Sequence, residues 1–359
     1  MRRMVATAAA ALLLLSSVTS AGLPSAGGDA PLGALCSWSA DGAPAALSLF
    51  HPAVAEVTLA DGTRQRNVSF THDGTETTVE QRVFVTPPAT ETLLRFKHGV
   101  GVHPRSAVLS EINTLDVTLP VPVGAVATLH GFAGSAESAT DYSATEQRLL
   151  AGAAPAVRQP TGGRSSDGVL PLFGIHINQS SSTSGGFVFS VGWSGSWRVS
   201  VGLSADGRAV HVQAGLALFN ASLASGQGFR GARVLCLNFT GADILSGWNA
   251  HRHALSRHFL RQDSDGHVRG GLVSSWTAQT YHNNVNEANM LAMVQGVKAA
   301  GVEAAWIDFG WYLGGGLGDV GNWVRPPPQS VDATKFPHGL SAIAAAAHAG
   351  EVRTKFIVW

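Results

Sequence analysis

Two hydrophobic rhythms divide this chain near residue 241, and each permits only one kind of packing. From Ala34 to about Asn238, short runs alternate apolar and polar residues or are rich in β-branched side chains, as in "TETTVEQRVFV", "LLRFKHGVGV" and "NTLDVTLPVPV". Asp61-Gly62 and Asp206-Gly207 supply tight turns between such runs. A period of two buries every second side chain, so residues 30–240 read as an all-β domain built as a sandwich. Within it, "GGFVFSVGWSGSWRVSVGLSADGRAVHVQAGL" contains Trp193 and Trp197, which suit either core packing or a platform for stacking sugars.

After Gly241 the period becomes helical. "ADILSGWNAHRHALSRHFLR" places Ile244, Trp248, His251, Leu255 and Phe259 on one face. Residues 241–269 read as a helical linker whose histidines, His251, His253 and His258, lie on a solvated face, since no pair has a recognised metal-binding spacing. "DSDG" from Asp263 reads as a turn, because Ser274 stands at the twelfth position, where a calcium loop needs glutamate. From about 270 to 359 the pattern is strand "LVSSW", helix "NEANMLAMVQGVKAAG", strand "VEAAWID", helix "GLSAIAAAAHAG" and strand "RTKFIVW". Gly301 and Gly350 stop the helices, and uniformly apolar strands joined through helices pair in parallel.

Composition narrows the function. Lys+Arg 24 balances Asp+Glu 24, which leaves no basic surface for nucleic acid. The first 21 residues have two arginines, an apolar run from about Val5 to Leu15 and small residues, which is a secretory signal too short to span a bilayer. Secretion makes the chain a candidate glycoprotein through Asn67, Asn178, Asn220 and Asn238, each in an acceptor tripeptide. It also permits one disulfide between Cys36 and Cys236, two buried thiols being the alternative.

The segment "AAWIDFGWYLGGGLGDVGNW", residues 304 to 323, runs from an apolar strand into a glycine-rich loop. Gly316, Gly318 and Gly321 have dinucleotide-fingerprint spacing, but "NWVRPPPQ" follows where a helix N-terminus must receive the pyrophosphate, so a phosphate cradle is excluded. What is left is a loop at the C-terminal end of a parallel strand, where barrel enzymes build their sites. Asp308 ends the strand, and Trp311, Tyr312, Asp319 and Trp323 follow. A carboxylate accepts sugar hydroxyls with charge assistance and aromatic rings cover a sugar's C–H face, so the set suits carbohydrate. A capping aspartate with packing tryptophans is the structural alternative.

"SSWTAQTYHNNVNEANMLAMVQGVKAAGVEAAWIDFGWY", then "GNWV" and "KFPHGLSAIAAAAHAGEVRTKFIVW", resembles the first three strand–helix units of the α-galactosidase (melibiase) family, glycoside hydrolase family thirty-six. The β-rich part ending "GWSGSWR" is similar to that family's N-terminal β-supersandwich. The resemblance implies an α+β multidomain chain: an all-β supersandwich followed by an incomplete (β/α)8 TIM-type barrel. It implies a retaining glycosidase with two catalytic aspartates and no cofactor or metal. Asp308, Gly310 and Trp311 match the family's Asp-Asp-Gly-Trp motif, whose first aspartate bonds the terminal sugar, and Trp359 matches the tryptophan ending strand three, which lines the pocket; the resemblance thus implies Asp308, Trp311 and Trp359 as substrate-binding residues. Phe309 replaces the second aspartate and removes one hydroxyl acceptor, a departure that bears on galactose specificity and leaves α-glycoside recognition, while Asn322, where many members have aspartate, can still accept.

The chain stops within the third strand, before the strands that bear the nucleophile and acid/base in that family, and reads as part of a longer enzyme. No catalytic residue is assigned. Of the other carboxylates, Glu287, Glu303, Asp319 and Asp332, the first two sit near the start of a helix and of a strand and suit capping or surface roles. The expected partner is an oligosaccharide or glycoconjugate, met in a secreted, lysosomal or vacuolar compartment. Two other readings stand beside this one: a non-catalytic carbohydrate-binding glycoprotein, and a galactosyl transferase of the raffinose-synthase kind.

Overall fold

The computed structural model describes residues 36–44, 53–60, 62–72, 75–100, 105–135, 138–179, 184–216, 218–260, 274–276, 284–302, 304–314, 330–350 and 354–358. They fall into two compact units that divide between Phe259 and Leu260.

In the first unit the strands are β1 (Ser37–Ala40), β2 (Ala43–Pro44), β3 (Ala53–Thr58), β4 (Arg64–His72), β5 (Thr75–Val85), β6 (Pro88–His98), β7 (Leu109–Pro120) and β8 (Val126–Phe132). Then come β9 (Ala144–Arg148), β10 (Ala156–Arg158), β11 (Leu172–Asn178), β12 (Gly185–Gly192), β13 (Trp197–Leu203), β14 (Ala209–Leu216), β15 (Asn220–Ala221) and β16 (Gly228–Thr240). One sheet runs β10-β13-β14-β7-β1-β2 with β15 paired to β7, and the other runs β3-β4-β5-β6-β16-β12-β11-β8-β9. The strands of both sheets pair antiparallel. The expected turn at Asp206-Gly207 joins β13 to β14: Gly207 has φ +70° and its N–H donates to the Ser204 carbonyl at 2.9 Å.

Alternation makes the sandwich. Trp197, Val199 and Val201 of β13 and Val210, Val212 and Ala214 of β14 turn inward, and Phe173, Ile175, Phe187 and Phe189 of the other sheet meet them in one apolar core. The thiols of Cys36 and Cys236 lie in this unit, each pushed up to about 12 by burial. No disulfide joins them.

Helix α1 (Ile244–His258) belongs to the sandwich unit rather than standing apart as a linker. Asp243 caps it by accepting the Ser246 N–H at 3.3 Å. Its Ile244, Trp248 and Ala254 join Val188, Leu235, Leu237 and Phe239 in a second apolar cluster on the outer face of the nine-stranded sheet. Two glycines allow this approach. A Cβ at Gly174 would stand 2.5 Å from Ile244, and one at Gly247 would stand 2.6 Å from Val188.

The reading of His251 as solvated is therefore corrected: it is 3% exposed, with Nε2 2.9 Å from the Ser190 hydroxyl. The sequence periodicity put it on the apolar face, and docking of that face buried it. Burial pushes its imidazole down to about 4, so the folded protein holds it neutral while the unfolded chain takes up a proton near the ordinary value. This contribution to stability is complete at neutral pH and is lost as pH falls from about 6.5 towards the folded-state value. The expected loss between pH 7 and pH 5 is about 2 kcal/mol. Urea titration of the wild type and of His251→Gln checks it, and an equally steep decline in the variant would exclude His251 as the source.

The second unit is the expected strand–helix repeat. Strands β17 (Ser274–Trp276), β18 (Ala304–Ile307) and β19 (Lys355–Val358) pair in parallel in that order. Helices α2 (Glu287–Ala299) and α3 (Gly339–His348) lie between them in sequence. Gly301 and Gly350 follow the helices at φ +69° and +76°, the left-handed conformation of a helix stop. Met290, Val294 and Val297 of α2, Ile343 and Ala347 of α3, and Ala305 and Ile307 of β18 share one apolar cluster, so the helices cover one face of this sheet.

Candidate active site

Asp308 follows directly on β18 and is 8% exposed. Side chains alternate along β18: Ala305 and Ile307 go to the helix-covered face, which places Ala304, Trp306 and Asp308 on the other. The strand thus presents Asp308 at its C-terminal end, on the face the helices leave uncovered. Phe309, in the place of the motif's second acid, is packed against the helix-side apolar cluster. Its substitution for aspartate suits that burial.

The chain then turns at Gly310, whose φ of +98° disfavours any side chain. Trp311 is 5% exposed and Tyr312 fully buried, their rings edge to face with centroids 5.3 Å apart. Both belong to the apolar cluster. Trp311 is held from the cluster side, as a support for the loop that leaves the strand.

That loop is clasped by the segment that returns. Tyr312 bridges Val331, the Leu313 N–H donates to the Ser330 carbonyl at 3.0 Å, and the Asp332 N–H donates to the Trp311 carbonyl at 3.0 Å. The Lys335 ammonium donates to the Gly310 carbonyl at 2.9 Å, which fixes the turn next to Asp308. Sequence reading missed Lys335, because its partner is a backbone oxygen that no side-chain motif reports. Trp306 was also missed, although a step of two back from Asp308 would have found it.

The remaining acids have local duties. Asp332 accepts the Thr334 hydroxyl at 2.5 Å and the Thr334 N–H at 2.9 Å, and the hydroxyl bond above all holds its carboxyl below the usual range. Glu287, at the start of α2, accepts the His338 ring Nδ1 at 2.8 Å and the His338 N–H at 2.9 Å, and these bonds lower its carboxyl likewise. Glu287 thus has the local role its place at a helix start implied, and Asp332 holds the turn that follows it. Trp359, Asn322, Asp319, Trp323 and Glu303 lie outside the described residues. In the sandwich, Trp197 is fully buried and its indole N–H donates to the Ser165 carbonyl at 2.7 Å, so it is a core residue and no sugar platform. Trp193 is partly buried against the same core, edge to face with Phe229.

No family profile matches the chain. Over 145 residues it is 28% identical to α-galactosidase 1 of Pediococcus pentosaceus, a match covering 39% of this chain and 18% of that protein. The α-galactosidase of Lactobacillus brevis superposes on 95% of the chain with TM-score 0.67 and 17% identity, and 45% of that protein is covered. A GH36 α-galactosidase AgaA variant of Geobacillus stearothermophilus, solved with 1-deoxygalactonojirimycin, superposes on 86% of the chain with TM-score 0.64 and 17% identity, covering 41% of that protein. Variants of that enzyme were also solved with stachyose and with raffinose. The chain spans less than half the length of these relatives, and its likeness to the family thirty-six α-galactosidases holds over that part.

Proposed function

We propose that this chain, a part-length relative of the family thirty-six α-galactosidases, is the amino-terminal part of a secreted retaining glycoside hydrolase. Its substrates are terminal α-galactosides or related α-glycosides. The observation that carries the reading is Asp308 at the C-terminal end of a parallel strand, 8% exposed, within a fold shared with those enzymes. The three parallel strands and their helices are then the opening part of a (β/α)8 barrel. The nucleophile and the acid/base come from later strands of the longer protein. Asp308 accepts hydroxyls of the terminal sugar, and Trp311 and Trp359 are the other substrate-binding residues that the resemblance implies.

Raffinose and stachyose, the ligands of the structural relatives, are the natural test substrates. The full-length protein is expected to release galactose from both, with retention of anomeric configuration. Absence of cleavage, in a protein that still folds, would overturn the reading. Galactosyl transfer to an acceptor sugar in place of hydrolysis would favour the raffinose-synthase alternative. The binding-module alternative loses support from the burial of Trp197. Secretion is consistent with the exposure of Asn178, Asn220 and Asn238, which leaves these acceptor asparagines open to a glycan.

A further inference from the structure

Trp306 sits on the same strand as Asp308, two residues earlier, and so on the same face. It takes no part in the apolar cluster formed by Ala305 and Ile307 with the helices. Its indole Nε1 is nevertheless buried, and among the described residues no acceptor meets it. Buried N–H groups are nearly always paired, because leaving one unpaired forfeits the hydrogen bond it made to water. Where one occurs, a water, an ion, local strain or a functional role such as ligand binding accounts for it.

We propose that Trp306 is a second substrate-binding residue of this site, its indole N–H donating to a hydroxyl oxygen of the terminal sugar that Asp308 holds. The proposal rests on the glycoside reading above. Two residues along a strand span roughly 7 Å. At that spacing one pyranose ring bridges the pair, offering a hydroxyl hydrogen to the Asp308 carboxylate and a hydroxyl oxygen to the indole. The ring of Trp306 also gives the sugar's C–H face an apolar surface. Asp308 alone only accepts, whereas the pair reads one donor and one acceptor and so fixes how the ring lies.

The test is Trp306→Phe in the full-length protein, which keeps the apolar ring and removes the N–H. Galactose binding by calorimetry is expected to weaken about tenfold, the loss of one neutral hydrogen bond, and KM for 4-nitrophenyl α-galactoside is expected to rise with kcat little changed. A melting curve without sugar checks that the variant folds; the smaller ring gives up some packing and the lost unpaired donor offsets part of it, so the sugar affinity is the deciding readout. Unchanged galactose affinity in a variant that still folds would overturn the proposal. Failure of the glycoside reading looks different: the wild-type protein itself would neither bind galactose nor cleave the galactoside, and the proposal falls with it.

Discussion

Replacing Asp308 by alanine in the full-length protein is expected to lower kcat/KM on α-galactosides by about 2–4 kcal/mol of transition-state stabilisation, roughly 30- to 1000-fold. The size follows from the nature of the contact. A carboxylate that is 8% exposed and accepts a sugar hydroxyl makes a charge-assisted bond in a poorly solvated place, and such bonds are about twice as strong as neutral ones. Alanine removes both the bond and the charge. Asp308→Asn separates the two, since the amide preserves shape and one acceptor oxygen; its loss is expected to be smaller than that of alanine. The measurement is steady-state kinetics on 4-nitrophenyl α-galactoside beside a melting curve for each variant. Unchanged kinetics in a folded Asp308→Ala protein would remove Asp308 from the site, and Trp306 with it.

Trp197→Ala is expected to destabilise the sandwich by about 3–5 kcal/mol, the cost of truncating a fully buried aromatic side chain. The indole is 0% exposed, meets Phe173 edge to face at 5.6 Å, and donates its N–H to the Ser165 carbonyl at 2.7 Å. Alanine opens a cavity between the sheets and leaves that carbonyl unpaired, so the loss belongs in the upper part of the range. For a domain of this size the melting temperature is expected to fall by about 10 °C or more. Trp193→Ala, truncating a partly buried ring at the edge of the same core, is expected to cost distinctly less. Equal losses from the two variants, measured by denaturant titration, would contradict the burial described for Trp197.

The limits of sequence reading follow the range of the interactions involved. Period-two alternation in β13 and β14 and helical spacing in α2 arise between neighbours a few residues apart, so both were legible, as were the helix stops at Gly301 and Gly350. Asp308 was legible for the same reason, since an apolar strand ending in an acid before a glycine-rich loop is a local pattern. Periodicity says which face of an element is apolar and nothing of what will cover it. His251 was assigned to the apolar face yet read as solvated, and it is buried because α1 docks on the nine-stranded sheet. Trp197 suited a core or a platform until the second sheet closed over it.

By itself, then, the sequence determined two units of different secondary structure, the parallel strand–helix repeat and the acid at the end of its middle strand, because each is written in local hydrophobic spacing. Only the tertiary structure decided that α1 docks on the outer face of the nine-stranded sheet, that Lys335 holds the Gly310 carbonyl, and that the indole N–H of Trp306 is buried without an acceptor among the described residues. Those facts depend on groups that approach each other after folding, across 25 residues for Lys335 and Gly310, and no local periodicity encodes such an approach.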